Sequence, residues 1–102
     1  MAISPSSGSV ITEQEAQTLV EAFRAKFPDE IKASFVGIET LNLILEQKDV
    51  MGVRIYYGYD TEAKRISPVL VGVDNDGKDM TSVFLDEFIP CPSDCDTSSP
   101  LY

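Results

Sequence analysis

The sequence contains no histidine. No Ser-His-Asp or Cys-His catalytic arrangement can therefore form within this chain, and zinc sites with a histidine ligand are excluded too. General acid–base chemistry would fall to carboxylates, Lys, Tyr or Cys. Basic residues are also scarce: eight Lys and Arg stand against seventeen Asp and Glu, for a net charge of −9. Phosphate backbones and anionic membranes are bound by clustered Lys and Arg. No such cluster exists, so the expected partners include no nucleic acid and no membrane. The acidity favours solubility and leaves room for a basic partner or a cation. No apolar run approaches the ~18–20 residues that a membrane span requires. The opening MAISPSSGSV has neither the basic nor the apolar region of a secretory signal. The expected location is the cytoplasm. Phosphate loops are missing as well: Gly52, Gly58 and Gly72 are spaced by strands, with no G-x-G-x-x-G and no G-K-[ST]. Within strands they suggest bulges or close backbone approach. No cofactor is expected.

At 102 residues the chain is expected to form one small domain over residues 1–102. Its centre is the stretch from Gly52 to Asp79. Val53, Ile55, Tyr57 and Tyr59 alternate with Arg54 and Tyr56, the period of a half-buried strand. Val69 to Val73 is almost continuously apolar and reads as a more deeply buried strand. Asp74-Asn75-Asp76-Gly77 then forms a turn, since Asx side chains bond their own backbone and Gly accepts positive φ. Met80 to Leu85 returns as an edge strand, although its spacing also suits a helix. The connection from Asp60 to Arg65 is polar.

Before the sheet, Ser, Pro and Gly over residues 1–9 read as a loose arm. Thr12-Glu13-Gln14-Glu15 matches a capping box, in which the Thr12 hydroxyl takes the Glu15 N–H and the Glu15 carboxylate reaches back to the Thr12 N–H. Ala16, Leu19, Val20, Phe23 and Phe27 follow as one apolar stripe, and Pro28 stops the helix. A second helix is expected from Ile38 to Gln47. There Ile38, Leu41 and Leu45 share a face with Ile44 beside them, while Leu43 points elsewhere. A helix apolar over more than one stripe is covered on two sides or meets another chain. From Pro90 the composition changes, and residues 90–102 read as an irregular tail.

Three constellations carry candidate chemistry. Cys91 and Cys95 form C-x3-C, which is neither the redox nor the zinc-knuckle spacing. Reduced structural thiols, a small disulfide loop and a metal site shared with a second chain all fit two cysteines. Asp74, Asp76 and Gly77 fall at the third, fifth and sixth positions of a calcium loop. Gly72 and Val83 then stand where the first Asp and the final Glu belong, so a hairpin turn explains the residues better. Arg54 and Tyr56 share the strand face opposite Val53 and Ile55. They are a candidate interaction surface, because Arg and Tyr are enriched at interface hot spots; a solvated face with one cation–π contact is the alternative.

At GVRIYYG, PVLVGVDNDGKDM and IPCPSDCDTSSPLY the chain resembles a group of small uncharacterised bacterial proteins. These share a GVRIYYG-like strand, a PVLVGVD-like strand and a C-P-x-x-C C-terminal tail. The group carries no known activity and so supplies no catalytic residue. It does imply that the tail is a regular feature, with an ordered role for Cys91 and Cys95.

The expected fold is α+β: two helices packed on one face of a small, about three-stranded antiparallel β-meander. With no catalytic constellation, the expected function is a non-enzymatic binding or assembly module of a bacterial cytoplasm, acting on an unknown protein partner or through self-association as a homo-oligomer. A thiol-dependent site at the C-x3-C tail, disulfide or metal, and a carboxylate-based enzyme are the alternatives.

Overall fold

Thr12 opens the first helix, α1 (Glu13–Lys26), and does so with its hydroxyl. In this computed structural model, which describes residues 2–102, Thr12 Oγ1 accepts the Glu15 N–H at 3.1 Å and donates to Glu15 Oε1 at 3.0 Å. The carboxylate thus closes the cap on the hydroxyl and not on the Thr12 N–H that the sequence pattern suggested. Glu13 and Glu15 lie at the positive end of the helix dipole, Arg24 and Lys26 at the negative end. The Phe27 N–H bonds Phe23 O at 2.8 Å, and their rings stack tilted, 5.1 Å apart; Pro28 prevents a further turn.

The chain divides into two compact units. The first holds residues 2–8 and Val36–Phe88; the second holds Ser9–Phe35 and Ile89–Tyr102. The class is α+β. The arrangement differs from one three-stranded meander: among the described residues two helices accompany seven strands in three sheets.

In the first unit, α2 (Ile38–Leu45) lies against a three-stranded sheet. That sheet comprises β2 (Val50–Tyr56), β5 (Val69–Asp74) and β6 (Asp79–Leu85), antiparallel in the order β2-β5-β6. These are the three strands legible from periodicity, and Met80 to Leu85 is strand. The polar connection folds further, into the short pair β3 (Tyr59–Asp60) and β4 (Arg65–Ile66). Asp60 organises it: its carboxylate accepts the Glu62 and Ala63 N–H groups, each at 3.0 Å. Two-residue strands are too short to show a period, which is why the sequence hid them. At their base the Ser67 N–H bonds Gly58 O at 2.9 Å. A Cβ on Gly58 would lie 2.5 Å from Ser67 O, so only glycine permits this approach.

The Asp74–Lys78 turn joins β5 to β6. Asp74 Oδ1 accepts the Asp76 and Lys78 N–H groups at 2.9 and 3.0 Å, and Gly77 takes φ +80°. The core of this unit is Ile44, Val71, Val73 and Leu85. Ile44 is fully buried, whereas Ile38 is 75% exposed and Leu45 also faces out. The expected apolar face of α2 was therefore displaced by one position. Ile44 meets Gly72, a position where the strand has no side chain to hold it off.

In the second unit, β1 (Ala33–Phe35) pairs antiparallel with β7 (Ile89–Cys91). The ribbon extends by the Lys32 N–H to Cys91 O bond at 2.8 Å. So within the tail expected over residues 90–102, Pro90 and Cys91 belong to a strand. The remainder is tied down by side chains of α1 and its continuation. Gln17 Nε2 donates to Pro100 O at 3.1 Å, the Arg24 guanidinium donates to Leu101 O, and Lys32 Nζ lies 3.8 Å from the centroid of the Tyr102 ring. Of the stripe on α1, Ala16, Val20 and Phe23 are half-buried, but Leu19 is 66% exposed and no residue of the helix is fully buried.

Candidate functional site

Arg54 and Tyr56 are two residues apart on β2, so both project from one face of the sheet. Arg54 is in register with Val71 and Tyr56 with Val69 on the central strand. Beyond β5, Asp79 is in register with Val73. Both long side chains cross the central strand and converge on Asp79. Arg54 Nη1 lies 2.5 Å from Asp79 Oδ1, Arg54 Nη2 is 3.5 Å from Gly77 O, and the Tyr56 hydroxyl donates to Asp79 Oδ2. Two residues of the candidate surface thus form a clamp with a third partner. The cation–π contact considered for the pair is replaced by a shared carboxylate.

The clamp lies on the face away from α2. A Cβ on Gly72, which is out of phase with Val71, would point at Ile44 and Gln47 of the helical side. Val71 and Val73 belong to the clamp face and are nonetheless buried. Val71 stands between Arg54 of β2 and Phe84 of β6, so the long stem of Arg54, crossing the central strand, covers apolar surface while its head meets Asp79.

The electrostatics follow from this geometry. The hydrogen bond from Tyr56, then that from Arg54, hold the Asp79 carboxyl below its ordinary range. The hydrogen bond to Asp79, then burial, raise the Tyr56 phenol. The same carboxylate raises the already basic Arg54. All three groups move away from neutrality, whereas an acid–base catalyst needs a pKa near the working pH. The clamp is suited to holding strands and presenting a surface.

Its pH dependence has two limbs. A depressed Asp79 contributes stability in full above the ordinary carboxylate range, and that contribution is lost as pH falls through its folded value. A raised Tyr56 contributes in full below about pH 10, and its share is lost as pH rises through the folded value. Asp79→Asn is therefore expected to make the urea midpoint less sensitive to pH at both ends. Asp60 is also lowered, by the Ala63 and Glu62 N–H groups, so a shallow acid limb remains. Parallel loss of stability in wild type and variant below about pH 4 would count against the clamp.

Cys91 and Cys95 are joined by a disulfide, with Cα atoms 4.9 Å apart. Cys91 is buried at the end of β7. The Asp94 N–H, inside the loop that the disulfide closes, reaches back to Pro90 O just before it at 3.0 Å. With both sulfurs bonded to each other, neither is a thiolate ligand in this state. Among the described residues no group of three or more Cys, Asp or Glu is placed to hold a metal ion, and Asp74 spends one carboxylate oxygen on its own turn. No helix among them is long and apolar enough to cross a membrane.

Beside β2 lies an open cavity of about 390 Å³, walled by Ile3, Ser4, Pro5 and Ser7 on one side and by Met51 to Ile55 on the other. Residues 4–7 form a turn, with the Ser7 N–H on Ser4 O at 3.1 Å and the Ser4 N–H on Ser7 Oγ at 2.9 Å. The end of β2 and the residues just after it expose Ile55, Tyr56, Tyr57 and Tyr59, with Tyr57 90% exposed; Ile55 and Tyr57 line this cavity. Asp79 was the site residue that sequence reasoning missed. It stands 25 residues from Arg54, and only strand register brings the two together.

Comparison with protein-family models, with curated proteins and with solved structures returns no match.

Proposed function

We propose that this chain is a non-enzymatic binding or assembly module, and that it works through the β2 side of its three-stranded sheet. The observation that carries this reading is the run of exposed apolar and aromatic side chains, Ile55, Tyr56, Tyr57 and Tyr59. The run lies in a stretch from Val50 to Tyr59 that contains no acidic residue, in a chain of net charge −9. A surface rich in Tyr and free of repelling charge is what an interface core requires. Tyr57→Ser tests it, since so exposed a side chain contributes little to the fold. Sedimentation velocity of the wild-type chain over a concentration series is expected to show reversible self-association, weakened by the substitution. A wild-type chain that stays at one subunit throughout counts against assembly through this surface.

The Cys91–Cys95 disulfide favours a second role for the tail, as a staple in an oxidising compartment rather than as a cytoplasmic thiol site. The carboxylate-enzyme alternative gains no support from Asp79, whose depressed pKa makes it a poor base at neutral pH.

A further inference from the structure

Residues 96–102 have no strand to hold them. Among the described residues their backbone N–H groups bond only within the segment: Ser98 to the Asp96 carboxylate at 3.1 Å, Ser99 to Asp96 O at 3.1 Å, and Tyr102 to Ser99 O at 3.0 Å. The ties to the rest of the second unit come from side chains. Gln17, Val20 and Arg24 are spaced i, i+3, i+7 and share one face of α1. Gln17 Nε2 donates to Pro100 O and the Arg24 guanidinium to Leu101 O. Lys32 Nζ donates to Tyr102 O at 3.3 Å and lies over the Tyr102 ring. Val20 and Leu101 line a shared cavity of about 250 Å³. Each polar tie is a single side-chain bond at an exposed position, so this strap is docked by a small margin.

Lys32 links the strap to the disulfide. Its backbone N–H bonds Cys91 O at 2.8 Å, and its ammonium holds the last residue of the strap. Loosening the β1–β7 ribbon at Cys91 therefore displaces the residue that anchors Tyr102.

The two cysteines are also unequally accessible. Cys91 is 8% exposed, whereas Cys95 is half-buried. Both line the cavity of about 250 Å³, and Cys95 also lines a second of about 400 Å³, bounded by Phe35, Ile89, Asp94 and Asp96. A small reactant therefore meets Cys95 before Cys91.

We propose that Cys95 is a site of thiol exchange, and that opening the disulfide there releases the strap from α1 by way of Lys32. The reactant is a low-molecular-weight thiol. Its thiolate attacks the Cys95 sulfur, the sulfur–sulfur bond breaks, and the electron pair leaves on Cys91 as a thiolate. Cys95 is then joined to the reactant in a mixed disulfide. A second thiolate attacks the reactant's sulfur in that bond. A disulfide of two reactant molecules departs, and Cys95 is left as a thiolate. Two thiols are oxidised, one protein disulfide is reduced, and the two protons the thiols gave up end on the cysteines. The proposal rests on the staple reading of the tail and makes that staple releasable.

The cysteines are four residues apart, and losing the constraint of so short a loop multiplies the open population by about thirtyfold. A strap docked by about ten to one before reduction is then free by about three to one. Release uncovers Val20 between Gln17 and Arg24 and returns the Lys32 ammonium to solvent.

The deciding experiment follows the full chain by NMR, oxidised and after excess mercaptoethanol, beside the variant K32M. Reduction is expected to move the Leu101 methyl and Tyr102 ring signals to random-coil positions. Exchange of the Lys32 amide is expected to speed by about thirtyfold, while the buried Val71 keeps its signals. In oxidised K32M the strap signals are expected to move in the same way, although the disulfide is intact and the amide at position 32 stays protected. Brief exposure to limiting mercaptoethanol, quenched in acid and mapped by mass spectrometry, is expected to place the adduct on Cys95. An adduct found mainly on Cys91 overturns the exchange site. A reduced chain whose ribbon amides speed while the Leu101 and Tyr102 signals stay in place overturns strap release and leaves the staple reading intact. So do strap signals that do not move in folded, oxidised K32M. Ribbon amides indifferent to reduction overturn both readings. If K32M does not fold, the comparison of oxidised and reduced wild type decides alone.

Discussion

Replacing Ile44 with alanine is expected to destabilise the sheet-bearing unit by about 2–5 kcal/mol, the range for large-to-small changes at fully buried aliphatic positions. Ile44 is the only residue of α2 that is fully buried. The helix has eight residues, and its N-cap is Gly37, which supplies no side-chain hydrogen bond. A helix so short does not hold itself together in water, so its place on the sheet depends on this contact. Opposite Ile44 stands Gly72, which has no side chain to relax into the space; a Cβ there would lie 3.2 Å from Ile44 Cγ2 and 2.6 Å from Gln47 Oε1. The cavity left by Ile44→Ala stays largely open. Against a total of roughly 5–15 kcal/mol for a chain of this size, the loss is large. Thermal unfolding is expected to show it as a midpoint lowered by more than about 10 °C.

A double-mutant cycle sharpens the test. Gly72→Ala by itself pushes Gln47 and Ile44 away and costs stability. In the Ile44→Ala background the added methyl enters vacated space. The double variant is therefore expected to be more stable than the sum of the two single losses predicts, with a coupling of about 0.5–3 kcal/mol. Simple additivity would mean that Ile44 and Gly72 are not packed as described.

The second large effect concerns the disulfide. Removing it by Cys91→Ala with Cys95→Ala is expected to cost about 2 kcal/mol, the chain-entropy value for so short a loop. The cysteines are only four residues apart, which keeps the entropic gain near the low end. The loss is expected to be local. Cys91 ends β7 and its carbonyl holds the Lys32 N–H. Hydrogen exchange is expected to speed at residues 32–35 and 89–94 while β2, β5 and β6 keep their protection. Uniform loss across all strands, or no change at the ribbon, would contradict a staple confined to the second unit. Treatment of the wild-type protein with a thiol reductant is expected to give the same pattern.

How far each feature was legible depended on its range along the chain. Thr12 and Glu15 are three residues apart, and Asp74 reaches the N–H groups of Asp76 and Lys78. Such local bonds leave a signature in neighbouring residue types, so the helix start and the turn could be read directly. β2 and β5 announced themselves by period and apolarity. The pairs β3–β4 and β1–β7 did not, since runs of two or three residues carry no period. The buried face of α2 was misjudged because Ile38, Leu41, Ile44 and Leu45 are all apolar. Only the position of Gly72 selects Ile44 among them.

Arg54 and Tyr56 were visible as a pair on one strand face, but their shared partner was not. Asp79 looked like part of an acidic turn. It became part of the clamp because register across β5 carries it beside the Arg54 guanidinium.

The residues alone settled the α+β class, the excess of negative charge, the impossibility of histidine chemistry within the chain and the acid-free character of β2. These depend on composition and on contacts within a few residues. Tertiary structure alone decided that Asp79 closes the clamp, that Ile44 is the anchor of α2, and that Ala33–Phe35 finds Ile89–Cys91. Each joins residues far apart in sequence. The free energy that selects such pairings comes from burial and register summed over the whole unit, and no local stretch encodes that sum.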